Sequence, residues 1–101
     1  MDLKKCFDMR RLCARWERGT YEFSFRGEWG VVLDELENLL PDGARKKRMS
    51  ENALVVKWQD SFITFTDDTV LLEGVVPNNE DTAWRLLDEV LERYISRFGL
   101  C

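Results

Sequence analysis

Residues 54–76 have the sequence LVVKWQDSFITFTDDTVLLEGVV, in which two polar pairs separate three short runs of β-branched and aromatic residues. The polar pairs are Asp60-Ser61 and Asp67-Asp68, and each has the length of a two-residue hairpin turn. The pattern predicts a three-stranded antiparallel meander. The turns set its register, which gives four cross-strand pairs: Trp58–Ile63, Val56–Phe65, Phe65–Val70 and Ile63–Leu72.

This register gives the meander two different faces. The first face carries the large apolar side chains and is expected to form the core: Leu54, Val56, Trp58, Ile63, Phe65, Val70 and Leu72. The opposite face, called the open face below, mixes apolar, hydroxyl and charged side chains: Val55, Lys57, Phe62, Thr64, Thr66, Leu71, Glu73 and Val75, with Arg26 nearby. Because the first face accounts for the fold, we expect any binding function on the open face.

The segments that flank the meander predict one further strand and two helices. Residues 20–26 alternate between aromatic and polar side chains, which is typical of a half-buried strand. Residues 29–40 place apolar side chains at helical spacing up to the break at Pro41. Residues 78–98 carry a broad apolar stripe, and Asn78 is positioned to cap this long helix.

The first residues predict a third helix. Cys6, Met9, Cys13 and Trp16 recur at spacings of three and four, opposite a basic side. The chain is therefore predicted to be α+β, with an N-terminal amphipathic helix at residues 1–18 and an α+β core domain at residues 19–101. In that domain we expect a single antiparallel sheet with its helices on one face.

Composition excludes several classes of function. The chain has 101 residues, a net charge of −4 and no histidine. Without histidine the commonest catalytic and zinc sites cannot form, so we expect no catalytic residue, no cofactor and no metal. No apolar run approaches the roughly 20 residues that cross a bilayer. The start also lacks the apolar segment of a signal peptide, so we expect a cytoplasmic protein without a membrane partner.

The three cysteines, Cys6, Cys13 and Cys101, do not suggest a disulfide framework. In a helix, Cys6 and Cys13 would lie about 10 Å apart along the axis, beyond disulfide reach. We expect all three thiols to be reduced, with the terminal Cys101 the most reactive.

Four consecutive basic residues, Arg45, Lys46, Lys47 and Arg48, lie within residues 44–52, which we expect to be a solvated loop. Such a run can hold a phosphate or an acidic partner. The rest of the chain is acidic, and this disfavours nucleic acid as a partner because nucleic-acid affinity depends on neutralising phosphates.

The order of predicted elements after residue 20 resembles one half-repeat of the TATA-box-binding protein family. The likeness is closest at residues 61–74, SFITFTDDTVLLEG, which precede a long helix closing with RFGL at residues 97–100. The resemblance covers about 80 residues and implies a sheet face that binds DNA when two such repeats form a saddle. This chain has one repeat, and its corresponding face has few basic residues.

Two predicted functions follow. The leading one is a small non-enzymatic interaction or regulatory module that contacts a protein partner or a second copy of itself, through the open face and the N-terminal helix. Either that helix or another chain is then expected to cover the open face. The alternative is a nucleic-acid-binding protein with the fold of a TATA-binding half-repeat. The residues expected to make contact are Arg26, Lys57, Phe62, Leu71, Arg45, Lys46, Lys47 and Arg48.

Overall fold

A computed structural model describes residues 2–13, 18–27 and 29–101. After a 3-10 turn at Leu3–Lys5, the elements in chain order are β1 (Phe7–Cys13), β2 (Gly19–Phe25), α1 (Leu33–Asn38), β3 (Arg45–Ser50), β4 (Ala53–Trp58), β5 (Ser61–Thr66), β6 (Thr69–Val75) and α2 (Glu80–Phe98). The six strands form one antiparallel sheet in the order β1-β2-β6-β5-β4-β3. The predicted α+β class is confirmed, and the sheet has two strands more than predicted.

The predicted meander is present as β4, β5 and β6. Its second hairpin is confirmed, with Phe65 opposite Val70 and Ile63 opposite Leu72. The predicted register of the first hairpin is wrong by two residues, since Val56 pairs with Ile63. The chain turns earlier than predicted, at Gln59, whose φ is 56°. A slip of two residues leaves every side chain on its original face, so the core assignment is unaffected.

The inward face of the meander forms the centre of the core. Leu54, Val56, Ile63, Phe65, Val70 and Leu72 are completely buried, and they pack in one cluster with buried residues of α1 and α2. Trp58 is half-buried, and its indole Nε1 donates a 2.9 Å hydrogen bond to Glu89 of α2.

The predicted N-terminal helix is wrong. Residues 7–13 form the edge strand β1, which pairs antiparallel with β2 so that Phe7 lies opposite Phe25 and Met9 opposite Phe23. Phe7 is buried, with ring centroids 5.0 Å from Phe25 and 6.0 Å from Phe23. The predicted helix was based on the spacing of Cys6, Met9, Cys13 and Trp16 and did not include Phe7 in its apolar side. Pairing as a strand buries the Phe7 ring against Phe23 and Phe25. Residues 14–17 of the predicted helix lie outside the described residues.

The predicted loop at residues 44–52 is also wrong, since Arg45–Ser50 form the edge strand β3 and pair with β4. The helix predicted at residues 29–40 is confirmed only for Leu33–Asn38. Val32 is extended at its N-terminus, because the β-branched pair Val31-Val32 has low helix propensity. The backbone N–H of Val32 donates instead to the Tyr94 hydroxyl, at 3.0 Å.

The long helix α2 is confirmed, but its cap is displaced by one residue. Asn79, not Asn78, is the N-cap, and its side-chain oxygen accepts a 2.8 Å hydrogen bond from the backbone N–H of Thr82. Asn78 serves a different purpose, because its side-chain oxygen accepts a hydrogen bond from the Tyr21 hydroxyl, at 2.6 Å. The helix ends at Gly99, as predicted.

The prediction of three reduced thiols is wrong. Cys6 forms a disulfide with Cys101, and the two Cα atoms lie 5.6 Å apart. The pair is separated by 95 residues in sequence, so only the tertiary structure brings it together. Cys6 is completely buried, and the link joins the turn before β1 to the segment after α2. The predicted reactivity of Cys101 is therefore also wrong for this oxidised form.

Candidate functional site

The open face is a continuous surface that crosses all six strands. Two rows of cross-strand partners define it. One row contains Arg10, Glu22, Leu71, Thr64, Val55 and Lys47; the other contains Thr20, Glu73, Phe62, Lys57 and Arg45. Partners in such rows have Cβ atoms about 4.5–5.5 Å apart. The rows therefore bring together residues from opposite ends of the chain.

Phe62 is a large exposed apolar side chain on this face, with 47% of its surface accessible. It lies on β5, between Lys57 on β4 and Glu73 on β6. The Lys57 ammonium lies 5.8 Å from the centroid of the Phe62 ring, within the range of a cation–π interaction. An exposed aromatic ring thus has a basic residue on one side and an acidic residue on the other.

The alternation of β3 divides the basic run between the two faces of the sheet. Arg45 and Lys47 pair with Lys57 and Val55 and lie on the open face. Lys46 and Arg48 pair with inward residues of β4 and lie on the side of α1. The predicted contact set Arg45, Lys46, Lys47 and Arg48 is therefore not one patch, because successive strand residues point to opposite faces.

The inward pair of basic residues is bound to α1. Arg48 Nη1 donates to Glu37 at 2.7 Å and to Asp34 at 2.8 Å, and Lys46 Nζ lies 3.5 Å from Glu37. The hydrogen bond from Arg48 lowers the pKa of Glu37 below its ordinary value, and the bond to Glu37 raises the pKa of Arg48. These contacts neutralise Lys46 and Arg48 and attach the edge strand to the helix.

The outward pair of basic residues belongs to a positively charged half of the sheet. Strands β3, β4 and β5 contain five basic residues, four in β3 and one in β4, and no acidic residue. Among the described residues, no carboxylate lies within salt-bridge distance of Arg45, Lys47 or Lys57. A shallow groove of about 200 Å³ is lined by Arg45, Lys46, Lys47, Val55, Lys57 and Phe62.

Of the other two predicted contact residues, Leu71 lies on the open face and Arg26 lies beyond the end of β2, and the predicted open-face position of Val75 is wrong. Leu71 is half-buried on β6 and joins the centre of the open face. Arg26 lies beyond the end of β2, near β1, where it forms a 2.7 Å ion pair with Asp8. Val75 was predicted on the open face but is completely buried. The extra residue Gly74, with a φ of 78°, interrupts the alternation and turns Val75 inward.

Sequence reasoning missed the acidic residues that organise this region. The sequence predicts no contact role for Asp34 or Glu37, and it places Glu73 only as one residue of a mixed face. The available signal was the pair of acidic residues one helical turn apart, followed by basic residues at alternate positions of β3. This pattern predicts ion pairs between the helix and the basic residues only if residues 45–50 are known to form a strand.

A second depression, of about 220 Å³, lies beside the start of α2 and is lined by Asp2, Leu3, Lys4, Trp84, Arg85 and Asp88. Oδ1 of Asp88 is buried there without a hydrogen-bond partner among the described residues. The described residues contain no cluster of three or more cysteine and carboxylate side chains that could hold a metal ion.

No helix in the described part of the chain has the length and apolarity needed to span a membrane.

Comparison with models of protein families, with curated proteins and with solved structures found no match. The function is therefore argued from the sheet itself, and the resemblance to the TATA-box-binding protein family stays a prediction.

Proposed function

We propose that this protein is a small non-enzymatic interaction module that associates with a second copy of itself through the open face. We infer that α1 and α2 both cover the opposite, buried face. The observation that carries the proposal is the arrangement around Phe62, in which an exposed aromatic ring lies between Lys57 and Glu73 on neighbouring strands.

This arrangement is self-complementary. Two sheets can stack face to face about a two-fold axis that lies between them and runs parallel to β5. The order of the strands across the second sheet is then the reverse of the order in the first. Phe62 of one copy then meets the same ring of the other. Lys57 of each copy lies opposite Glu73 of the other, so unlike charges face each other at both sides of the aromatic contact.

The size of the face predicts a weak dimer. Six strands at a spacing of about 4.8 Å, and about 20 Å along each strand, give a projected area on the order of 500 Å². Interfaces of this size are at the low end for specific complexes. We therefore expect association in the micromolar range and not an obligate dimer.

Sedimentation equilibrium at protein concentrations up to about 500 μM tests the proposal, since small interfaces need high concentration. We expect a monomer–dimer equilibrium that Phe62→Ser weakens strongly. Val32→Ser is the matched control, because Val32 is also an exposed apolar residue, with 57% of its surface accessible, but lies before α1. A monomer at every concentration would refute the proposal.

Charge exchange gives a sharper test of the geometry. Lys57→Glu and Glu73→Lys should each weaken the dimer, because each single change places like charges opposite one another. The double variant restores the unlike pairs and should recover association. Failure of the double variant to recover would refute this packing even if a dimer forms.

Nucleic-acid binding is a second candidate, favoured by the exposed Phe62 ring beside Lys57, Arg45 and Lys47 on the open face. Stacking on an aromatic ring within a basic groove is a common mode of single-strand binding. Lys46 and Arg48 do not contribute, since carboxylates of α1 already hold them. Titration of a labelled oligothymidylate at low salt tests this candidate, and no measurable affinity there would exclude it.

The cytoplasmic location expected from the sequence is weakened by the disulfide. Cys6–Cys101 is a stable covalent link between the two ends of the described chain, and such links are typical of oxidising compartments. Measuring the free thiols of the protein isolated under alkylating conditions would decide between the two environments.

A further inference from the structure

The strand β3 is an edge of the sheet, and in the described part of the chain it is hydrogen-bonded to β4 alone. Five of its six residues are exposed, and Arg48 is half-buried. An edge strand presents unpaired backbone N–H and C=O groups at alternate residues, which are a template for one more strand. We propose that β3 binds an acidic, extended peptide segment of another protein as a seventh strand of the sheet.

The edge is already held in a strand conformation. The ion pairs of Arg48 and Lys46 with Glu37 and Asp34 fix β3 to α1 from the inward side. A strand that is ordered before binding loses less conformational entropy when a partner pairs with it. The same ion pairs neutralise the inward basic residues, so the charge that remains is on the open-face side.

That remaining charge defines the partner. Arg45 and Lys47 are two residues apart on one face, with Lys57 beside Arg45 on the next strand. A peptide that pairs with β3 places its own alternate residues next to Arg45 and Lys47. Glutamate or aspartate at two such positions would lie next to Arg45 and Lys47. These two residues have no carboxylate partner among the described residues.

A second copy of this chain does not fit the edge. Pairing β3 with another β3 would set Arg45 to Arg48 of both copies side by side, and like charges opposite one another destabilise a strand pair. The other edge strand, β1, carries Arg10 and Arg11 against a single acidic residue, Asp8. No edge strand among the described elements is acidic, so the segment must come from a different protein.

Fluorescence anisotropy with a labelled seven-residue peptide of alternating glutamate and valine tests the proposal. We expect micromolar binding that the double variant Arg45→Glu/Lys47→Glu weakens at least tenfold. Lys5→Glu/Arg97→Glu makes the same change in net charge at exposed positions away from β3 and should alter the affinity less than twofold. No binding to the native protein, or equal losses in both double variants, would overturn the proposal.

Backbone pairing is tested with two N-methylated peptides, one modified at every valine and one at every glutamate. Only one of these sets of N–H groups can face β3, because successive residues of a strand point their backbone groups in opposite directions. One modified peptide should therefore lose binding and the other retain it. Equal binding of both would show that only charge is recognised, which would overturn strand addition. Tighter binding of an oligothymidylate through Arg45 and Lys47 would overturn it in favour of phosphate.

This inference goes beyond the proposed function, because it adds a second site for a different partner, and the two can fail independently. Glu73→Lys should weaken self-association, yet Glu73 lies on β6, which β5 and β4 separate from β3. The variant should bind the acidic peptide at least as well as the native chain. A weakened dimer with retained peptide binding shows that the edge site is separate. Loss of peptide binding in this variant would overturn the edge site.

Discussion

Arg48 on the edge strand β3 donates a 2.7 Å hydrogen bond to Glu37 on α1, the shortest of the contacts between these two elements. This bond occupies Arg48, so Arg48 is not available to a partner. It also attaches a strand in which four of six residues are basic to α1.

The first prediction concerns Glu37. The bond from Arg48 holds its pKa below the ordinary value of 4.5. A lowered pKa means that folding favours the ionised form, so this stabilisation is present above about pH 4.5 and is lost as the pH falls through the lowered pKa. Glu37→Gln should therefore lower the urea midpoint at pH 7, and the difference from the native chain should vanish in acid.

Glu35→Gln is the control for this experiment, because Glu35 is exposed on the same helix and forms no ion pair with a described residue. Its midpoint should match that of the native chain at both pH values. A Glu37→Gln effect that persisted unchanged in acid would contradict the assigned ion pair.

The second prediction concerns the disulfide. Cys6 and Cys101 close a loop of 95 residues, for which the chain-entropy model gives about 4–5 kcal/mol of stabilisation, while typical measured values are about 2–4 kcal/mol. Cys101→Ser should lower the free energy of unfolding by about 3–4 kcal/mol in urea denaturation. The native chain with a reductant should unfold at the same midpoint as the variant. A reductant without effect on the native midpoint would show that the link does not form in solution.

The third prediction contrasts two phenylalanines on opposite faces of β5. Phe65 is completely buried, so Phe65→Ala should cost about 3–5 kcal/mol through lost burial and a cavity. Phe62 is 47% exposed, so Phe62→Ala should cost less than about 1 kcal/mol in the monomer. Denaturation below the concentration of self-association measures both. Similar costs for the two variants would mean that the assignment of Phe65 to the core face and Phe62 to the open face is incorrect.

The fourth prediction concerns Gly74, the extra residue that turns Val75 inward. Its φ of 78° is unfavourable for residues with a Cβ, and a Cβ there would lie 3.1 Å from the Asp60 carbonyl oxygen. Gly74→Ala should cost about 1–2 kcal/mol. Gly30→Ala is the control, because a Cβ at Gly30 meets no atom within 4 Å. Thermal unfolding of the two variants should separate them by several degrees, and equal melting temperatures would contradict the bulge.

The parts of the fold that were predictable have their signal within a few neighbouring residues. Ile63 and Phe65 alternate with Thr64 and Thr66, and this alternation sets their face whatever the exact turn. The apolar stripe of α2 is similarly local, and Gly99 after it marks the end. Although the predicted register at Val56 was wrong, Val56 was still assigned to the correct face. An error of two residues equals the period of side-chain direction along a strand.

The candidate site was predictable only in part, because only some of its residues lie in a segment with a local hydrophobic alternation. Lys57, Phe62 and Leu71 belong to the alternating meander, and their place on the open face follows from it. Arg45 and Lys47 could not be separated from Lys46 and Arg48, because a run of charges has no hydrophobic alternation to indicate a strand. Only the pairing with β4 and the ion pairs with carboxylates of α1 show that Lys46 and Arg48 lie on the opposite face from Arg45 and Lys47.

The sequence by itself determined the core face of the central meander apart from Val75, where α2 runs, and that Phe62 and Lys57 lie on the face away from the core. These features arise from local periodicity, which a chain carries without its tertiary contacts. Only the tertiary structure decided that residues 7–13 and 45–50 are edge strands, that Cys6 and Cys101 are joined, and that Arg45 and Lys47 stay available while Arg48 does not. Each of those outcomes depends on a partner distant in sequence, whose contacts outweigh weak local preferences.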